Sequence, residues 1–319
     1  MELLPLSRIG GPEAPHYLLD RLRRSASTCL MLPRLARKVV NTIKSLGSTM
    51  ISSLDLGLKG RVAIVAGGGP AGEGIGNGRA ASILLAEAGS MVMVVDRNEA
   101  LATRTVEMIS DRGGKAKALS ADLTNSDECK RVVDATMSAF GRLDVLDNNI
   151  GIGSRLSVVD ETEERWDWVM EINVKPMFLM SKHAIPAMVA SGNGGSIVNI
   201  SSIAAVRPKG LTVYSTSKGA VLSLSQAMAV DHGAEGIRVN CILPGPVYTP
   251  TVYSPGMSPE QRSQRQNAGL VQIEGEGWDI GKAVVYLSSN WARYVTGHLM
   301  VVDGGCSLTA KRLPSLLYY

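Results

Sequence analysis

The 319 residues are 45% hydrophobic and 19% charged with a formal net charge of +4, an ordinary globular composition long enough to bury a large core. Seven cations, Arg21, Arg23, Arg24, Arg34, Arg37, Lys38 and Lys44, and no acid fall within residues 21–54. The rest of the chain is therefore slightly acidic, which gives no support for nucleic-acid binding. Cys29, Cys129, Cys241 and Cys306 are scattered without pair or metal-ligand spacing, which argues against a disulfide framework or a zinc site, and no apolar run reaches the roughly 20 residues that span a bilayer.

Residues 1–57 read as a poorly ordered N-terminal extension, and the cytoplasm is the expected compartment. The basic, serine-containing segment resembles a mitochondrial presequence and keeps the matrix as the alternative, although Glu2, Glu13 and Asp20 precede it where such a signal should be cationic. An upstream start to a chain that begins at Met50 is a third reading of the same residues.

From Lys59 onward, short β-branched runs alternate with helical stretches, the signature of a doubly wound α/β domain with a parallel sheet. The expected strands are Val62–Ala66, Met91–Val95, Lys115–Ser120, Leu143–Leu146, Ser196–Ile200, Arg238–Ile242 and Leu299–Val302. Helices are expected over Gly76–Ala88, Glu99–Asp111, Ser126–Phe140, Glu163–Ala190, Val213–His232 and Trp278–Ser289. The domain spans 58–310, followed by a tail over 311–319, and the Pro- and Gly-rich stretch 248–276 falls where an insertion would cover a ligand crevice.

After the first strand comes Gly67-Gly68-Gly69-Pro70-Ala71-Gly72-Glu73-Gly74-Ile75-Gly76, which leads into an apolar helix. Glycines let the backbone approach a pyrophosphate, and free amides at a helix start attract its charge. The second strand ends on Asp96, where a carboxylate can accept from an adenosine ribose and repel a 2′-phosphate. NAD is therefore favoured over NADP, with Arg97 the counter-argument. Tyr214 and Lys218 are four apart on a predicted helix and so share a face. Ser202 lies at the end of the preceding strand, on the side of the sheet where ligands bind. His183 and His232 have no partners at ligand spacing and read as structural or solvated.

Taken with Asp122-Leu123, Asn148-Asn149-Ile150-Gly151, Asn173, Pro244-Gly245-x-x-x-Thr249 and Asp303-Gly304-Gly305, these pieces resemble the short-chain dehydrogenase/reductase family from about Leu58 to Leu308. The resemblance implies a seven-stranded Rossmann-type fold and hydride transfer between NAD(H) and a secondary alcohol or ketone. It implies Asn173, Ser202, Tyr214 and Lys218 as the catalytic set: Tyr214 as general acid/base, Lys218 lowering its pKa from roughly 10 and holding the nicotinamide ribose, Ser202 holding the substrate oxygen, and Asn173 placing a water next to Lys218. Cofactor contacts are implied at Gly67, Gly74, Ile75, Gly76, Asp96, Asp122, Leu123, Asn148, Gly151, Tyr214, Lys218, Pro244, Val247 and Thr249. It also implies a homodimer or homotetramer. Isomerisation or dehydration at the same site, and nucleotide binding without turnover, are the competing readings.

Two departures from the family pattern stand out. Ala66 replaces a threonine ahead of a loop two residues longer than usual, and Asp147 and Ile150 replace apolar and small residues around Asn148-Asn149, where they could crowd the adenosine floor or weaken the sheet. Tyr248, Val252, Tyr253 and Met257 in the covering segment point to an apolar or ring-shaped substrate.

Overall fold

The computed structural model describes residues 55–309. The expectations for the N-terminal segment, for the tail and for Cys29 lie outside the described residues. The packed unit starts two residues ahead of the expected boundary, because the carbonyl of Leu56 accepts from the N–H of Asn290 at 2.8 Å and its side chain joins the core.

Seven parallel strands form one sheet in the order β3-β2-β1-β4-β5-β6-β9. They are β1 (Val62–Ala66), β2 (Met91–Asp96), β3 (Lys115–Ser120), β4 (Val145–Asn148), β5 (Gly195–Ile200), β6 (Ile237–Pro244) and β9 (Leu299–Val302). β1 and β5 are buried along their whole length, as strands covered on both faces must be. The edge strand β3 exposes Lys115 and Lys117, charges that discourage edge-to-edge pairing. The helices are α1 (Asn77–Glu87), α2 (Glu99–Ser110), α3 (Ser126–Phe140), α4 (Glu163–Asn173), α5 (Lys175–Ala190), α6 (Thr212–His232), α7 (Pro250–Tyr253), α8 (Pro259–Gln266) and α9 (Gly277–Ser288). One apolar cluster packs α1, α2 and α9 on one face of the sheet through Ile83, Ile109 and Val284, and another packs α3, α5 and α6 on the other through Val132, Met180 and Met228.

Two expected elements differ most, and β6 runs over Ile237–Pro244 and not Arg238–Ile242. The fourth strand runs over Val145–Asn148 and not Leu143–Leu146, because Asp147 and Asn148, polar residues that hide a strand in the sequence pattern, pair with Val65 and Ala66. The single helix expected over Glu163–Ala190 is two, meeting at Val174. Pro176 has no N–H to offer the carbonyl of Ile172, so it ends one hydrogen-bond ladder and is tolerated in the first turn of the next.

The strand order reverses between β1 and β4, and at such a switch point the loops leaving the two strands diverge and open a crevice at their carboxyl ends. The 248–276 segment crosses this region as β7 (Val247–Tyr248), α7, α8 and β8 (Gly275–Glu276), with β7 and β8 pairing as a short parallel ladder.

Candidate active site

The glycine-rich turn leaves β1 and enters α1 with Gly76 at the cap position and no side-chain cap, whereas Asn98 and Asn125 cap α2 and α3. The amides of the first turn of α1 thus lack the side-chain acceptor that the neighbouring helices have. The turn is tight: a Cβ at Gly78 would collide with the carbonyl oxygen of Gly67. Asp96, at the end of β2, is half-buried, and its two oxygens accept from the N–H groups of Gly69 and Asn98, each at 3.1 Å. Burial raises its pKa above the ordinary carboxylate value while these backbone bonds oppose the rise. Each oxygen keeps a lone pair for a ligand hydroxyl. An uncapped helix start beside a fixed carboxylate is a donor and acceptor set that fits the diphosphate and ribose of a dinucleotide.

Ser202 follows β5; its hydroxyl accepts from the N–H of Ala204 at 3.1 Å and lies near the phenol of Tyr214, in the first turn of α6. The protein around Tyr214 raises its pKa through desolvation, and the Ser202 hydroxyl opposes this. One turn further along α6, the buried Lys218 ammonium donates to the carbonyls of Ile200 at 3.0 Å and Ile150 at 3.4 Å. An ammonium has three donors, so one remains beyond these two bonds. Desolvation lowers the pKa of Lys218 to about 8. Glycine at 151 makes room for it: a Cβ there would stand 2.9 Å from Lys218 Nζ.

Asn173 ends α4 fully buried. Its side chain accepts from the N–H of Ile152 at 2.7 Å and donates to the Ile152 carbonyl at 3.0 Å and to Ser217 Oγ at 2.9 Å. The amide therefore ties the loop after β4 to α6, beside Lys218, with its polar atoms engaged by protein. Asn148 is likewise buried, donating to Asn199 Oδ1 at 2.8 Å, while Asn199 donates to Ser225 Oγ at 2.9 Å. This chain of amides fixes the Asn148 side chain through Nδ2, while its buried Oδ1 has no hydrogen-bond partner among the described residues. Asp122 is exposed with Oδ1 turned to Thr124, and Leu123 is buried.

Asp147 points to the other face of β4. It is fully buried between Val65 and Val198, accepts from Asn149 Nδ2 at 3.0 Å through one oxygen and has no partner for the other. Desolvation pushes its pKa up to about 7.

The covering segment is anchored on both sides. Pro244 closes β6, Val247 gives its carbonyl to Arg265 at 3.0 Å, and Thr249 is buried at the start of α7. The hydroxyl of Tyr253 and the ring of Pro250 press against Gly74, and Ser254 Oγ donates to the carbonyl of Ala71 at 3.2 Å. Tyr253 packs on Tyr248 with ring centroids 4.7 Å apart, and the Arg262 guanidinium, paired with Glu274 at 2.6 Å, lies over Tyr248 at 4.1 Å. His183 lies 3.0 Å from Ser126 Oγ, and His232 is 2.8 Å from Glu235.

Three residues of this region escape sequence reasoning: Arg79, Asn199 and Ser217. Arg79 alone leaves a trace in the sequence, as a charge in the first turn of an otherwise apolar helix.

A doubly wound sheet that gathers a hydroxyl, a phenol and an ammonium beyond the carboxyl end of β5 defines the chain as a Rossmann-type α/β protein. The family model described as enoyl-(acyl carrier protein) reductase matches residues 69–307. Cyclopentanol dehydrogenase of Comamonas sp. is 36% identical over 246 residues, covering 77% of this chain and 96% of the relative. The 2,5-dichloro-2,5-cyclohexadiene-1,4-diol dehydrogenase LinX of Sphingobium indicum is 35% identical over 254 residues, covering 79% and 98%. The solved structure of a short-chain type dehydrogenase/reductase from Mycobacterium ulcerans superposes with a TM-score of 0.74 at 33% identity, covering 79% of this chain and 92% of that one. The chain belongs to the short-chain dehydrogenase/reductase family.

Proposed function

We propose that the protein is an NAD(H)-dependent dehydrogenase of secondary alcohols, or reductase of the matching ketones, with Tyr214 as general acid/base. The observation that supports this reading is the gathering of the Ser202 hydroxyl, the Tyr214 phenol and, one helical turn on, the buried Lys218 ammonium at the end of β5. Bound nicotinamide would supply or accept the hydride. Ser202 would hold the substrate oxygen and stabilise the charge that develops on it. Tyr214 would pass its phenolic proton to that oxygen in reduction and take it back in oxidation. Because the protein alone raises the Tyr214 pKa, ionisation of the phenol depends on positive charge close to it. Lys218, protonated below about pH 8, would supply that charge one helical turn from the phenol.

Asp96 supports NAD over NADP, since its carboxylate, fixed by two backbone N–H groups, would repel a 2′-phosphate. The names of two relatives, a cyclopentanol dehydrogenase and a cyclohexadiene-diol dehydrogenase, support a cyclic secondary alcohol, as do the aromatic rings of Tyr248 and Tyr253 in the covering segment. The description of the matching family model favours a second reading, reduction of an enoyl thioester double bond.

Purified full-length protein incubated with NAD or NADP and a panel of cyclic and linear secondary alcohols should reduce NAD. Tyr214→Phe should lower that turnover by at least about a hundredfold, the usual scale of a general acid/base, while still binding NADH. Turnover with an enoyl thioester and none with any alcohol or ketone would overturn the dehydrogenase assignment in favour of the second reading.

A further inference from the structure

The side chain of Arg79 is fully buried in the first turn of α1. It donates through Nη1 to the carbonyls of Gly74 at 2.7 Å and Gly72 at 3.2 Å, and through Nε to Thr105 Oγ1 at 2.9 Å. Thr105, on α2, passes its own hydrogen to the carbonyl of Gly68 at 2.8 Å. No carboxylate among the described residues stands within ion-pair distance of the guanidinium. Glu73, the nearest acid in the loop, is exposed and faces Arg104 at 3.8 Å. Desolvation lowers the pKa of Arg79, and Glu73 and Asp96 oppose this only from a distance, so a buried cation hydrogen-bonded to carbonyls and a hydroxyl gains from a closer counter-charge.

The direction of those bonds matters as much as the charge. A trans peptide points its C=O and the following N–H to opposite sides, and the described residues contain no cis peptide bond. Drawing the Gly72 and Gly74 carbonyls inward therefore turns the N–H groups of Glu73 and Ile75 outward. The same rule holds visibly one step earlier: the Gly68 carbonyl faces Thr105, and the N–H of Gly69 on the opposite side donates to Asp96. One buried side chain thus orients the amides of the lengthened loop, while Thr105, with its own hydroxyl hydrogen, holds the peptide that fixes Asp96.

We propose that Arg79 is a positioning residue for the diphosphate of the cofactor, aiming the Glu73 and Ile75 amides at it and holding a buried positive charge that the diphosphate neutralises. This rests on the dinucleotide reading above.

The test is titration of NADH, ADP-ribose and adenosine onto the full chain by calorimetry at two salt concentrations, for wild type, Arg79→Met, Arg79→Lys and Thr105→Val. Arg79→Met should weaken NADH and ADP-ribose about tenfold or more, leave adenosine within twofold, and flatten the salt dependence of ADP-ribose binding. Arg79→Lys, which keeps the charge and loses the fork, should fall between. Thr105→Val should weaken all three ligands a few-fold, since it loosens Asp96. Wild-type affinity for ADP-ribose in a folded Arg79 variant would overturn the proposal, as would an equal loss for adenosine, which would mark a general loosening of the fold.

Should both Arg79 variants fail to fold, hydrogen exchange on the unaltered protein decides. ADP-ribose, and not adenosine, should slow exchange at the Glu73 and Ile75 amides, and no such slowing sinks the idea. If wild type binds neither NADH nor NADPH, the dinucleotide reading itself fails and takes this one with it. Wild-type binding with indifferent variants removes only the role of Arg79.

Discussion

Replacing Asp147 with asparagine should make the protein more stable at pH 8, and the gain should shrink to about a quarter near pH 4.5. The carboxyl is enclosed between Val65 and Val198 in the middle of the sheet, with one oxygen bonded to Asn149 and the other alone. Burial disfavours the charged form, so the folded-state pKa lies at about 7 against an ordinary 3.8. Between those values the folded protein keeps a proton that the unfolded chain gives up. Stability therefore falls as pH rises through this window, and the whole penalty is present above about 7. At ~1.36 kcal/mol per tenfold, the rise corresponds to on the order of 4 kcal/mol. For a domain of this size that is roughly 10 °C in Tm, at ~2–4 °C per kcal/mol. Asparagine keeps an acceptor for Asn149, and its amide replaces the hydroxyl of the neutral acid, so the stabilities of the two proteins should draw together as pH falls, to within ~1 kcal/mol at pH 4.5, and coincide only below about 3.8. Thermal melts followed by circular dichroism from pH 4.5 to 8.5 give the comparison directly, because the other carboxylates are common to both and cancel in the difference. Parallel profiles, or an asparagine variant that melts lower at pH 8, would refute the reasoning.

On the proposed mechanism, Lys218, whose pKa burial lowers to about 8, would lose above that pH the charge assigned to support ionisation of Tyr214. The supporting cation is therefore present below that pH and absent above it, and kcat/KM for carbonyl reduction should decline above about pH 8; a rate that keeps rising to pH 10 contradicts the assigned role. Asp96→Ala removes the carboxylate that repels a 2′-phosphate, and the NAD to NADP ratio of kcat/KM should fall at least about tenfold, ~1.4 kcal/mol for one ion-scale contact. An unchanged ratio would show that preference is set elsewhere. Tyr253→Ala removes the side chain that presses on Gly74 and packs against Tyr248, a contact whose aromatic part alone is worth ~1 kcal/mol. NADH should then dissociate several-fold faster in stopped-flow displacement, and an unaltered off-rate would mean that the 248–276 segment does not close over the cofactor loop.

Most of the sheet was legible because its strands are β-branched runs buried on both faces, and a fully buried strand shows itself in the sequence as an apolar run. β4 was shifted by two residues for the opposite reason. Asp147 and Asn148 are strand residues with polar side chains, and nothing local reveals that one would be enclosed by Val65 and Val198 and the other bonded to Asn199. The break at Val174 was hidden because Pro176 can open a helix as readily as end one, and periodicity runs through it undisturbed. Local spacing placed Tyr214 and Lys218 on one face, and the strand end placed Ser202, since those relations are fixed by helix and strand geometry. The partners of Asn173 were not legible: Ser217 is 44 residues away in sequence, and only the folded chain brings the loop after β4 against α6.

The lengthened glycine loop shows why the same limit matters at a binding site. Two additional residues in a turn add backbone amides whose directions are free in the unfolded chain, and loose amides bind an anion poorly because their ordering is charged against affinity. Glycine gives the loop its shape and cannot by itself choose which way each peptide faces. In this chain that choice is made from behind, by a guanidinium that takes the inward carbonyls at Gly72 and Gly74 and a threonine that takes the one at Gly68. A motif written as glycine spacing omits these residues, because they lie inside the protein and would touch no ligand. The departure from the family's usual loop and the buried arginine behind it are therefore two parts of one solution, and a loop of this length without such a support should bind dinucleotide less tightly.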